Sequence, residues 1–237
     1  MPAHFIPTLP ICVDSSGFAS LFAGSQVGWS SDDGCGFIEF PGENGVERTC
    51  AQDILTLQQN IGDIGFTLGA IVTPDMPASE AVRRIDFTVR NAAWAICHRR
   101  DPRLRLFASL QCTDSSNARE IARDYARMGF GGVAVGGMVP RLKNISSVVE
   151  IVSSVRSEIG DLPLHVFGVG KPDLVRRLFE AGADSVDSSS YVKSAVEGVS
   201  WASPGKVLEQ PSFLERLHLA LENLSVLCRD EMILPVM

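Results

Sequence analysis

The sequence is poor in the features that mark several protein classes. Its six cysteines (Cys12, Cys35, Cys50, Cys97, Cys112 and Cys228) are scattered, with no two at C-x-x-C spacing, so it implies neither a zinc ribbon nor a disulfide framework. Long apolar runs are missing as well. The longest uncharged stretches, such as 65–74, are broken by Gly and Pro before they could span a bilayer. The first seven residues, Met-Pro-Ala-His-Phe-Ile-Pro, hold no basic region followed by an apolar stretch and do not read as a secretory signal, so a cytoplasmic location is the expectation. Cations are the minority, 21 Lys and Arg against 28 Asp and Glu, a formal charge of −7. That balance argues against nucleic-acid binding through bulk electrostatics and leaves room only for a local patch.

What is present suits a globular chain. Hydrophobic residues make up 45% and charged residues 21%, which excludes disorder and collagen-like repeats, and 237 residues are enough for one large domain with a buried core. One basic cluster stands out: His98, Arg99, Arg100, Arg103 and Arg105, around Asp101-Pro102. Arg99, Arg100 and Arg103 are candidate nucleic-acid contacts. The plainer reading is a solvated helix end whose cations complement the helix dipole.

Hydrophobic periodicity organises the rest. Pro10 to Val13 reads as a strand, Gly36 to Phe40 as a short hairpin strand inside a Gly-, Ser- and Asp-rich segment, and Thr49 to Asn60 as a helix. A strand over Asp63–Leu68 precedes a helix from about Ser79, whose Val82, Ile85, Val89, Ala92 and Ile96 form one apolar face. The cycle repeats with strands at Leu104–Gln111, Gly132–Val135, Pro163–Val169 and Ala183–Val186, and with helices between them. Pro172 opens one helix at the first-turn position where proline fits, and Ser212-x-x-Glu215 starts the last with a capping box. Six strand–helix units imply parallel pairing with helices outside. The cadence suits a (β/α)8 TIM-type barrel with two units missing. A doubly wound open sheet is the alternative, which periodicity does not separate.

In either architecture ligands meet the carboxyl ends of the strands. Asp14 ends the first strand and Asp187 the last, and a closing barrel would bring both to one mouth. Two carboxylates facing one pocket are what substitution at an anomeric carbon requires, one attacking and one moving protons; alternatively each caps a turn. Gly136-Gly137 could offer backbone N–H groups to a ligand or simply make a tight turn. Gly168-Val-Gly170-Lys171-Pro, ahead of a helix, could hold a phosphate but lacks P-loop spacing. His165, in mid-strand, reads as a satisfied core histidine.

Five segments, taken together, resemble the tRNA-guanine transglycosylase superfamily, including its relatives that place 7-deazaguanine bases in DNA. Val13-Asp-Ser-Ser-Gly-Phe18 resembles a D-S-G-G-F strand end, and Leu110-Gln111 a V-Q-G segment. Phe130-Gly-Gly-Val-Ala-Val-Gly-Gly-Met138 resembles F-D-G-x-A-I-G-G-L. His165-Val-Phe-Gly-Val-Gly-Lys-Pro172 resembles L-M-G-V-G-T-P, and Gly182-Ala-Asp-Ser-Val-Asp187 resembles G-x-D-x-F-D. The resemblance covers about 10–193 of a single 1–237 domain, with 194–237 a C-terminal helical extension.

It implies base exchange at a guanine nucleotide. Asp187 matches the nucleophile, and Asp14 the acidic residue that contacts the base and handles protons. Ser15, Gln111 and the backbone of Gly136 and Gly137 match groups that bind the purine, and Gly168 and Gly170 belong to the glycine loop. Lys171 beside that loop is an added candidate for a phosphate. The incoming base would be a 7-deazaguanine precursor, the acceptor DNA or tRNA, and no organic cofactor is needed.

Three departures qualify the match. The zinc motif C-x-C-x-x-C with a distant His has no counterpart after Lys193, where only Cys228 and His218 lie, so no metal is expected and DNA is favoured over tRNA. Gly69-Ala70 stands where a second base-binding Asp is implied, with Asp75 displaced into the following loop. Two strands that precede D-S-G-G-F are missing, so a partner protein, a second copy or an unconventional closure is expected to cover the gap in the barrel. The alternatives are a non-catalytic barrel subunit supporting a separate catalytic chain, and a barrel enzyme acting on a small phosphorylated metabolite.

Overall fold

A computed structural model of the chain describes residues 10–203 and 208–229. The strands are β1 (Cys12–Val13), β2 (Gln26–Trp29), β3 (Gly36–Gly42), β4 (Gly45–Cys50), β5 (Ile64–Phe66), β6 (Arg105–Leu110), β7 (Gly132–Val135), β8 (Leu164–Val166) and β9 (Ser185–Val186). The helices are α1 (Ala51–Ile61), α2 (Ala78–His98), α3 (Ser115–Tyr125), α4 (Ile145–Ile159), α5 (Pro172–Glu180), α6 (Ser190–Val196) and α7 (Phe213–Arg229). Two 3-10 turns, Gly17–Leu21 and Val139–Arg141, follow β1 and β7.

Six parallel strands form one sheet in the order β1-β5-β6-β7-β8-β9. That order is strictly sequential. A doubly wound sheet reverses direction at a switch point, whereas a barrel wall does not, so the alternative architecture is excluded. The sheet curls into a half-barrel, an α/β fold compatible with a partial TIM-type barrel.

The alternation of side chains along the strands sorts them into two layers. Leu106, Ala108, Leu110, Val133, Val135, Leu164 and Val166 point outward and are buried under α3, α4 and α5. Those helices answer with Ile121, Tyr125, Val148, Val152, Val155 and Leu178. The concave side holds a separate aromatic cluster of Phe66 and Phe107 with Ala134, and Phe167 packs on it. Phe66 lies 5.6 Å from Phe107 and 4.8 Å from Phe167, both edge-on.

Local chemistry sets the helix starts. Asp114 accepts the N–H of Asn117 at 2.9 Å to begin α3, and Asn144 accepts that of Ser147 at 3.3 Å to begin α4. The capping box at α7 is formed, with Ser212 N–H donating to Glu215 at 2.8 Å.

Two expectations are corrected, and one helix was not foreseen. Residues 26–50 form a three-stranded antiparallel meander, β2-β3-β4, rather than a loop with one short strand. The helix expected from Thr49 begins at Ala51, because Thr49 and Cys50 pair with β3 and the Cys50 thiol serves as the cap, accepting the Asp53 N–H at 3.5 Å. Helix α6 follows directly on β9, where the run Ser188-Ser189-Ser190 carries no helical signal. The meander is fastened to α2 through the buried Asn91, whose Oδ1 accepts the Gly36 N–H at 3.0 Å. Among the described residues no helix is long and apolar enough to cross a membrane.

Candidate active site

The carboxyl ends of the six strands surround a cavity of about 380 Å³, within the ~300–1,000 Å³ usual for small-molecule sites. Asp14 just after β1 and Asp187 just after β9 both line it. Ser15, Gln111, Gly136, Gly137 and Gly168 line it too, so seven of the nine sequence-derived catalytic and substrate-binding candidates meet in one place. Gly170 and Lys171 do not. Gly170 borders a separate cavity beside α5 and α7, and Lys171 is an exposed residue at the start of α5.

Asp187 is held on one oxygen. Its Oδ1 accepts the N–H of Gly168 at 2.8 Å and lies 3.3 Å from His165 Nε2. Partial burial raises the Asp187 pKa, but the contact with His165, the Gly168 N–H and Asp187's own N–H together outweigh it and leave the carboxyl below its ordinary value. The side chain keeps 58% of its surface exposed, facing the open mouth. His165 is indeed a satisfied buried histidine, but one of its partners is the candidate nucleophile. Its Nδ1 sits 2.9 Å from Ser185 Oγ.

Gln111, buried at the end of β6, accepts the Val72 N–H on Oε1 at 3.1 Å, while its Nε2 has no hydrogen-bond partner among the described residues. Gly136 is glycine because a Cβ there would collide with that Nε2. Its N–H donates to the Leu110 carbonyl at 2.9 Å and is unavailable to a ligand, which corrects the expectation that both glycines could present theirs. Arg141, from the 3-10 turn after β7, braces this wall by donating to the carbonyls of Cys112 at 2.6 Å and Thr113 at 3.1 Å. The floor is pinned where Ser109 Oγ donates to the Thr67 carbonyl at 2.5 Å.

Gly69 also lines the cavity and places no carboxylate there. Asp75 is exposed, is absent from the lining, and has its pKa lowered first by the Thr73 side chain. It does not replace the missing acid. The apolar walls include Phe18, a residue 62% exposed, together with Ile71, Met138 and Phe167. Sequence reading missed Ser189, Ser190 and Lys193, which α6 and its approach bring to the rim. Their only signal was proximity to Asp187.

The basic cluster lies elsewhere. Arg99, Arg100 and Arg103 sit between α2 and the amino end of β6, about 20 Å from the cavity by the length of a six-residue strand. Arg103 is paired with Asp101 at 2.7 Å, and Arg99 donates to the Leu104 carbonyl at 3.2 Å. Among the described residues no three of His, Cys, Asp or Glu are grouped to hold a metal ion.

A family model described as queuine tRNA-ribosyltransferase matches residues 5–223. The chain belongs to that family. Among curated relatives, the tRNA-guanine(15) transglycosylase of Methanopyrus kandleri is 30% identical over 154 residues, 63% of this chain and 33% of its own length. That of Pyrococcus abyssi is 31% identical over 145 residues, 59% of this chain and 24% of its own. That of Methanococcus aeolicus is 26% identical over 199 residues, 81% of this chain and 30% of its own. The chain thus spans about a quarter to a third of the length of these relatives. Within the family match, the two acids and Gln111 occupy the ends of β1, β9 and β6 around one cavity.

Proposed function

We propose that this chain is a guanine transglycosylase that exchanges guanine in a nucleic acid for a 7-deazaguanine precursor through a covalent sugar ester on Asp187. The observation that carries this reading is that Asp14 and Asp187, on the first and last strands of the sheet, line one cavity together with Gln111. The cavity suits a flat heterocycle. Phe18 and Phe167 offer ring surfaces, and Gln111 Nε2 and Ser15 offer donors to a purine edge. In the first half-reaction the Asp187 carboxylate bonds to the anomeric carbon as the glycosidic bond breaks, and the departing base takes up one proton. In the second, the incoming base gives up one proton and displaces the carboxylate. Asp14 carries that proton in each direction. The bond energy stays in the ester, so neither a nucleoside triphosphate nor an organic cofactor is required.

The names of the relatives make tRNA the first acceptor to test. DNA remains the second, and there the target base must leave the stack before its sugar can reach Asp187. Gly69 weakens the reading of guanine itself, because one carboxylate fewer meets the donors of the base. A phosphorylated small metabolite loses its main support, since Lys171 is not part of the cavity.

Radiolabelled guanine incubated with the protein and either tRNA or DNA should enter one polymer. Asp187→Asn should stop incorporation, and Asp187→Ala should remove any adduct that survives denaturation. Undiminished exchange in Asp187→Asn would refute the assignment.

A further inference from the structure

We infer that His165 is a positioning residue that holds Asp187 by Oδ1, so that Oδ2 is the oxygen that attacks the sugar; the inference rests on the base-exchange reading of the cavity. Oδ1 is engaged twice, by the Gly168 N–H at 2.8 Å and by His165 Nε2 at 3.3 Å. No other described residue hydrogen-bonds to Oδ2, and the remaining contact of the carboxylate is with Asp187's own backbone N–H. A carboxylate held through two donors on one oxygen cannot exchange its oxygens by rotation without giving up both bonds.

The ring is itself held. Ser185 Oγ, 2.9 Å from Nδ1, can donate its hydroxyl hydrogen there, which places the ring proton on Nε2, facing Asp187. The imidazole centroid lies 5.1 Å from that of Phe66 and 4.7 Å from that of Phe167, so its plane is fixed by packing beneath the cavity floor. Ser185, His165 and Asp187 therefore form a short relay of contacts across β8 and β9. His165 forms no bond to the sugar and keeps its Nε2 proton through both half-reactions. In the first, the Oδ2 lone pair bonds to the anomeric carbon, and the electrons of the broken C–N bond leave with the base, which gains a proton. In the second, the incoming base loses a proton, its nitrogen bonds to that carbon, and Oδ2 departs with its electron pair. The donors on Oδ1 stabilise the carboxylate as it is released.

Two substitutions test this. His165→Phe preserves an aromatic ring among Phe66 and Phe167 but removes the donor. His165→Gln returns an N–H near the place of Nε2. The expected result is a fall in kcat of about 10- to 100-fold for Phe, with KM for the nucleic acid unchanged, and substantial recovery for Gln. Full activity in the Phe variant, a Gln variant no better than Phe, or a rise in KM without loss of kcat would overturn the inference.

Nitrogen-15 NMR of the unmodified protein gives a readout independent of turnover. An Nε2–H tautomer at His165 that is perturbed by Ser185→Ala is expected, and an Nδ1–H tautomer would overturn the proposal. If the unmodified protein exchanges no base, the functional reading fails and the attacking role of Oδ2 fails with it, while the NMR result still decides whether His165 holds Asp187.

Discussion

Asp187 Oδ1 accepts the Gly168 N–H at 2.8 Å, which ties the end of β9 to the loop that leaves β8. Gly168 has a φ of +77°, and a Cβ there would lie 2.7 Å from Val139 Cγ2. Gly168→Ala therefore meets both backbone strain and a clash. It should lower stability by about 1–3 kcal/mol in denaturant unfolding and reduce exchange more than that loss of folded protein explains. Equal losses in the two measurements would show that the placement of this loop matters to Asp187 only through folding.

The Asp187 carboxyl lies below its ordinary value of 3.8: burial pushes it up, and the contacts with His165, Gly168 and its own N–H more than reverse this. A carboxylate depressed in the folded state contributes stability above its unfolded value, and that contribution is lost as pH falls through the folded one. Carboxyl carbon-13 NMR should accordingly show Asp187 titrating below an unperturbed aspartate. In His165→Phe its midpoint should move up, because the His165 hydrogen bond, the largest of the lowering contacts, is gone. An unchanged midpoint would mean that the His165 contact is electrostatically idle.

Lys193 lines the cavity, whereas Arg100 sits about one strand length away at the far end of the sheet, beyond the ~10 Å screening length at 0.1 M salt. Lys193→Glu should raise KM for the nucleic acid and flatten its salt dependence; Arg100→Glu should do so less. The reverse order in filter-binding titrations would return the acceptor path to the Arg99–Arg103 cluster.

Ser16 adopts a φ of +59° in the turn after β1, at the third position of the stretch that resembles D-S-G-G-F. A left-handed conformation costs a residue with a Cβ about 1–2 kcal/mol, and replacing it by Gly relieves that cost against a smaller entropic loss. Ser16→Gly should raise the melting temperature by a few degrees, and Ser16→Val should lower it. Calorimetry checks both.

The parts of the fold legible in sequence were those whose pattern is local. Strand β7 emerged with its observed ends because the four residues from Gly132 to Val135 sit between a glycine-rich turn and the Gly136-Gly137 pair. The Ser212–Glu215 box marked α7 because its bonds connect neighbours three residues apart. Strand β2 was missed because Gln26-Val-Gly-Trp is held by pairing with β3 and by Trp29 packing 5.2 Å from Phe87, contacts invisible to a short window. The same holds in the cavity. Asp14 and Asp187 were found through strand ends and motif, whereas the partnership of His165 with Asp187 depends on the register that sets His165 beside Ser185. Gly136 was read as a place for ligand approach, yet the atom it makes room for belongs to Gln111.

The two acids are seated on opposite margins of the curled sheet, with β5, β6, β7 and β8 between their strands. Their separation is therefore gauged by the sum of five strand pairings rather than by any bond joining them. Bulk introduced at Ala134, wedged among the inner phenyl rings and paired with His165, would splay the wall and stretch the gap that a nucleoside must bridge, with neither carboxylate itself replaced.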